Sequence, residues 1–124
     1  LKNNIKKYVE LNVSAAFHSK FMFQAQEKLA KEIEDLKFLE NKIKIISNYD
    51  AGVYNDNINI KKNLQNQMAN KVNWTQGIHT LESIGEKKII EIGPGKVLSG
   101  LIKRISNNFD IISINEITDL NKYE

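Results

Sequence analysis

Lys88-Ile89-Ile90-Glu91-Ile92-Gly93-Pro94-Gly95-Lys96-Val97-Leu98 is the stretch on which the reading of the fold turns. Residues 88–92 are rich in isoleucine and stop at a glycine, so they read as a short strand. Gly93-Pro94-Gly95 forces a tight turn. Val97, Leu98, Leu101, Ile102 and Ile105 then recur at helical spacing, with Lys103 and Arg104 near the end. Phe109, Ile111, Ile112 and Ile114 follow as one more strand. Strands separated by helices in this way predict a layered α/β sheet with parallel pairs.

Working back along the chain, Tyr8, Val9, Leu11 and Val13 form a β-favouring run that closes in Ser14, Ala15 and Ala16. After His18, with Ser19 as the expected N-cap, the residues Phe21, Ala25, Leu29, Ile33 and Leu36 mark an amphipathic helix. Ile43, Ile45 and Ile46 read as a second strand that stops at Ser47-Asn48-Tyr49-Asp50, and residues 52–59 read as a polar loop. Residues 60–84 are helix-compatible with an interruption at 70–74, which predicts two helices, the second stopped by Gly85. The last seven residues read as a polar tail.

Composition bounds the class. The chain has 124 residues, 41% hydrophobic and 27% charged, with one proline and no cysteine, which fits one α/β domain. Disulfides and thiolate metal sites are excluded, and the two histidines lie too far apart, without clustered carboxylates, to make a metal signature. No apolar run approaches a membrane span or a signal peptide, so an aqueous, reducing compartment such as the cytoplasm is expected, with no membrane partner. A net charge of +3 is too small and scattered for a nucleic-acid footprint. The start at Leu1, in a lysine-rich stretch leading straight into a strand, is what the beginning of a fragment looks like.

The glycine turn invites three chemical readings. A phosphate-binding loop requires glycine at Ile90, and a dinucleotide fingerprint requires one at Leu98, so both fail. An S-adenosylmethionine motif requires a glycine near Val97 and several strand–helix units beyond, yet the chain ends at Glu124. A plain strand-to-helix turn remains the better reading.

His18 is the leading candidate for proton transfer, because it stands between a strand end and a helix start, where α/β sheets build clefts. Position alone fits a helix-start histidine that only bonds backbone at least as well. His79, between Ile78 and Leu81 in an expected helix, reads as structural. No serine sits in a nucleophile elbow. Lys2, Lys6, Lys7, Lys61, Lys62, Lys87 and Lys88 read as solvated positions, with a docking face for an acidic partner as the alternative.

Four blocks in order carry a resemblance: Val13-Ser14-Ala15-Ala16-Phe17-His18-Ser19-Lys20-Phe21-Met22; Ile46-Ser47-Asn48-Tyr49-Asp50-Ala51; Gln67-Met68 followed by Val72-Asn73-Trp74; and Glu91-Ile92-Gly93-Pro94-Gly95-Lys96-Val97-Leu98-Ser99-Gly100-Leu101. Together they resemble the malonyl-CoA:acyl carrier protein transacylases of fatty acid synthesis, from about Tyr8 to Asn115.

The resemblance implies an acyl transfer in two steps, with malonyl-CoA and acyl carrier protein as partners and no cofactor, malonyl-CoA being a substrate. His18 matches the catalytic histidine of that family. Gln67 matches the position whose backbone carbonyl accepts the other ring N–H of that histidine. Phe17 matches the bulky residue of malonyl-selecting acyltransferases, where methylmalonyl-selecting ones carry a smaller serine, although Ala15 departs from the histidine usual in the longer pattern.

The implied fold is the C-terminal part of a hydrolase-like parallel sheet layered with helices. Residues 1–17 would end a ferredoxin-like small subdomain, and 18–124 would be the C-terminal part of the large subdomain. The Gly-His-Ser-x-Gly elbow, the oxyanion hole and the arginine that pairs with malonyl carboxylate are not in this sequence. Such a chain is expected to be inactive alone and to leave apolar faces uncovered. A noncatalytic carrier-protein or coenzyme A binding fragment is the alternative.

Overall fold

A computed structural model of the chain describes Glu10 and residues 13–121. Tyr8, Val9 and Leu11 of the expected first strand, most of the small subdomain expected for 1–17, and Lys2, Lys6 and Lys7 lie outside the described residues.

A 3-10 turn at Lys20–Met22 leads into α1 (Phe23–Asp35). Ser19 does precede this helical segment, but its hydroxyl donates back to the Ala16 carbonyl at 2.7 Å and caps nothing. Of the apolar stripe expected on this helix, only Ile33 is buried; Phe21, Leu29 and Leu36 are exposed, Phe21 by 79%. α1 instead packs through Gln26, Ala30 and Ile33, at steps of four and three, onto α2 (Asn57–Asn66), which answers with Ile60 and Asn63. Gln65 Nε2 donates to the Ala30 carbonyl at 2.9 Å, and Lys61 Nζ to that of Glu34. Asp56 caps α2, accepting the Asn59 N–H at 2.8 Å.

Between these helices the chain forms β1 (Ile45–Ile46) and β2 (Val53–Tyr54), an antiparallel pair. The expected polar loop over 52–59 is corrected on two counts, since it holds β2 and the start of α2. Its turn chemistry explains why it looks like a loop. Ala51 takes a left-handed backbone (φ 60°), and Asp50 accepts the Gly52 N–H at 3.0 Å and the Tyr54 hydroxyl at 2.7 Å. Strands of two residues carry no periodicity that a sequence reading can detect.

The two expected helices are present, but the break between them runs over residues 67–73 where 70–74 is expected, and Trp74 opens α3 (Trp74–Ser83). It ends in a Schellman arrangement: Gly85, at φ 86°, donates to the Glu82 carbonyl at 3.0 Å, and Glu86 to that of Leu81 at 3.1 Å. β3 (Lys88–Ile92), α4 (Val97–Ile105) and β4 (Asp110–Ile114) make the expected strand–helix–strand unit, with β3 and β4 parallel in the register Ile90↔Ile112. The expected tail is corrected at its start, where Ile117–Leu120 forms a one-turn helix, α5.

Among the described residues the two strand pairs form separate two-stranded sheets, so the fold is α/β with a small parallel sheet. The buried apolar residues are scattered along the chain: Ile33 and Ile60 in α1 and α2, Ala51 in the hairpin, then Ile78, Ile102 and Ile112. One face of β3 remains open, with Ile90 50% and Ile92 80% exposed. No described helix is long and apolar enough to cross a membrane.

Candidate functional site

His18 has the backbone of a left-handed residue, φ 62°. For an L-residue other than glycine this costs roughly 1 kcal/mol or more, so the surroundings must enforce it. They do so with one turn, residues 67–70, just past the end of α2. The His18 N–H donates to the Met68 carbonyl at 2.8 Å. The Nδ1 atom of its ring lies 3.2 Å from the Gln67 carbonyl oxygen and 3.1 Å from that of Asn70.

Both neighbours of Nδ1 are pure acceptors, so Nδ1 must carry the hydrogen. In the neutral ring Nε2 then holds the lone pair, and the imidazole is exposed. The arrangement leaves a proton acceptor open at the surface in a fixed tautomer, which is what a general base needs.

The turn is itself held. Asn70 Nδ2 donates to the Asn66 carbonyl at 2.8 Å, satisfying one of the free carbonyls at the end of α2. Gln26 Oε1, from α1, accepts the Ala69 N–H at 2.8 Å. Of the residues singled out in the sequence, His18 and Gln67 are therefore brought together. Phe17, next in the chain, is 55% exposed. The parts of Asn70, Met68 and Gln26 carry no sequence signal, because two act through backbone carbonyls and the third is one glutamine among several.

Beside the turn, a cleft of about 260 Å³ is lined mainly by Ile45, Ile46, Tyr54, Ile60 and Leu64, and Gln67 reaches it. The Gln67 Nε2 atom is buried there without a hydrogen-bond partner among the described residues.

The glycine turn after β3 is internally occupied. Glu91 accepts the Leu98 N–H at 3.0 Å and the Ser99 N–H at 2.9 Å, and it also accepts the Ser99 hydroxyl, which lies 2.9 Å from that of Ser113. The Ser99 hydroxyl foremost, with those amides, holds the Glu91 carboxyl below its ordinary range. An internal carboxylate thus fills the N-terminus of α4, where a bound anion would otherwise sit.

His79 lies on α3 with its Nδ1 3.0 Å from Glu82. Glu82 also accepts the Ser106 hydroxyl and the Asn108 amide, and these bonds, Ser106 first, pull its carboxyl down to about 2. His79 is one strut of a clasp between α3 and the α4–β4 connection. Among the described residues no group of three metal-ligating side chains is close enough to hold an ion.

No family model matches the chain. A curated relative, the malonyl CoA-acyl carrier protein transacylase of Bacillus subtilis (strain 168), is 35% identical over 115 residues, covering 93% of this chain and 36% of the relative. The solved malonyl-CoA:ACP transacylase of Synechocystis superposes with a TM-score of 0.88 at 35% identity, over 92% of this chain and 39% of that one. Over more than nine-tenths of its length the chain is similar to malonyl-CoA:acyl carrier protein transacylases. It spans little more than a third of the length of these relatives. The polyketide biosynthesis protein PksE of Bacillus subtilis is also similar, 42% identical over 104 residues, which are 84% of this chain and 13% of that protein.

Proposed function

We propose that this chain is the acid/base portion of a transacylase that moves a malonyl group from coenzyme A to the phosphopantetheine thiol of acyl carrier protein. The observation that carries the reading is the seat of His18, whose Nδ1 is held by the Gln67 and Asn70 carbonyls while the ring stays exposed. In the reaction a serine supplied by polypeptide outside this sequence gives its proton to His18 Nε2 and attacks the malonyl thioester. His18 then protonates the departing coenzyme A thiolate. In the second half it removes the proton of the carrier thiol, which attacks the malonyl-serine ester, and returns a proton to the serine oxygen.

The backbone carbonyls do for this ring what a carboxylate does in the serine protease triad, fixing the tautomer and stabilising the imidazolium as it forms. Phe17 narrows the acyl pocket against an added methyl. Residues 18–121 complete a hydrolase-like large subdomain. The open face of β3, with Ile90 and Ile92, supports this reading, because a further layer of a larger domain would cover it. Fatty acid synthesis in the cytoplasm is the setting that fits.

The test is a chimera in which this chain replaces the matching segment of the Bacillus subtilis transacylase. Transfer of malonyl from malonyl-CoA to holo carrier protein, read by intact-protein mass spectrometry, is expected. A chimera that folds and binds carrier protein but never acylates its serine would favour a noncatalytic binding role.

A further inference from the structure

Gln26 is a polar side chain only 6% exposed, on the face of α1 that packs against α2. A buried amide is retained at little cost only where it is bonded. Here its Oε1 takes the N–H of Ala69 at 2.8 Å. Ala69 stands between Met68 and Asn70, in the middle of the turn whose carbonyls grip His18. α2 ends at Asn66, and beyond it the turn's own backbone bonds are long, Gln67 N–H to the Leu64 carbonyl and Asn70 N–H to the Gln67 carbonyl, each at 3.4 Å.

We propose that Gln26 is a positioning residue for His18, acting through the 67–70 turn; the proposal rests on the acid/base reading of His18 given above. One stretch of chain, residues 18–26, carries both the imidazole and the group that holds its carbonyl seat. Asn70 ties the far end of the turn to α2, and Gln26 ties its centre to α1. Ring and carbonyls therefore move as one body. Without the Gln26 acceptor, the Ala69 N–H loses its partner inside the packed interface, and the turn rotates to find another. The two acceptors at Nδ1 are then displaced, and the ring is free to place its hydrogen on Nε2, the tautomer that cannot accept a serine proton.

The readout is the ring ¹⁵N shifts of His18 in the 124-residue chain at neutral pH. The unaltered chain is expected to hold the Nδ1–H tautomer in excess. Gln26→Met, similar in volume but without an acceptor, should raise the Nε2–H share several-fold. Gln26→Glu keeps an acceptor and should hold the original ratio. A Gln26→Met chain with native amide dispersion and an unchanged tautomer ratio overturns the proposal, as does a folded Gln26→Glu chain that behaves like Gln26→Met.

Should Gln26→Met fail to fold, hydrogen exchange in the unaltered chain decides: slow exchange at the Ala69 amide supports the clamp, and exchange as fast as an open turn's overturns it. None of these readouts needs a substrate. Failure here leaves the role of His18 standing, whereas an active His18→Ala chimera removes that role whatever Gln26 does.

Discussion

The Nδ1 atom of His18 sits 3.2 Å from the carbonyl oxygen of Gln67, 49 positions further along the chain. The main chain, and not the glutamine side chain, makes this contact. The Gln67 Nε2 atom is buried without a partner among the described residues, and such a group costs roughly 1–3 kcal/mol. Gln67→Met is therefore expected to leave the 124-residue chain as stable as before or up to about 1 kcal/mol more stable. Urea denaturation checks this, together with an unchanged His18 tautomer. A drop of more than about 1 kcal/mol would show that the side chain is engaged.

Gly52 lies under the Tyr54 ring, and a Cβ built there would come within 2.5 Å of the hydroxyl oxygen and 2.7 Å of two ring carbons. Tyr54 is also bound through that hydroxyl to Asp50. Gly52→Ala must break the bond or bend the hairpin, which is expected to cost roughly 1–3 kcal/mol. Thermal melting gives the stability, and the Tyr54 ring resonances report the displacement.

Glu82 carries a carboxyl pulled down to about 2 from an ordinary 4.5 by the Ser106 hydroxyl, His79 and Asn108. A depressed carboxylate favours the folded state above its unfolded value, and that contribution is lost as pH falls through the folded one. Acidification from about 4.5 to about 2 should therefore loosen the clasp between α3 and the α4–β4 connection. The side-chain amide signals of Asn108 are expected to shift in that window. A Glu82→Gln chain should show a flatter stability curve across it.

Phe17 is the position at which acyl selection is expected to be read. In the chimera, Phe17→Ser should raise the use of methylmalonyl-CoA relative to malonyl-CoA by roughly 10–200-fold, the range one methyl group commands in a shaped pocket. Competition between the two thioesters, followed by mass spectrometry of the acyl-enzyme, measures the ratio. No change in it would place selection elsewhere.

The parts of the fold legible in the sequence are those with long local patterns. Residues 88–114 announce strand, turn, helix and parallel strand, because five-residue isoleucine-rich runs flank a glycine turn and a clean helical period. Of the hairpin Ile45–Tyr54 the first strand is legible in its isoleucines, while the second escapes, since it is two residues long and the turn chemistry before it is that of any polar loop. The apolar stripe of α1 is read correctly as a pattern and misleads about burial. Periodicity says which residues share a face, but what covers that face depends on the rest of the fold.

At the candidate site, His18 stands out by its place between a strand end and a helix start, whereas its role and the part of Gln67 are legible only through the resemblance of four separated blocks. The hold of Asn70 on the ring, of Met68 on the His18 backbone N–H and of Gln26 on the turn depends on backbone carbonyls and on one buried amide, and neither leaves a mark in residue type.

The central claim is that Nε2 of His18 takes the proton of the serine hydroxyl as that serine attacks the malonyl thioester. Single-turnover formation of malonyl-enzyme in the chimera, compared with its His18→Ala variant, tests this most directly. A fall of about 10²–10⁴ in rate is expected, with folding and carrier-protein binding intact. Acylation at the parental rate would contradict the account.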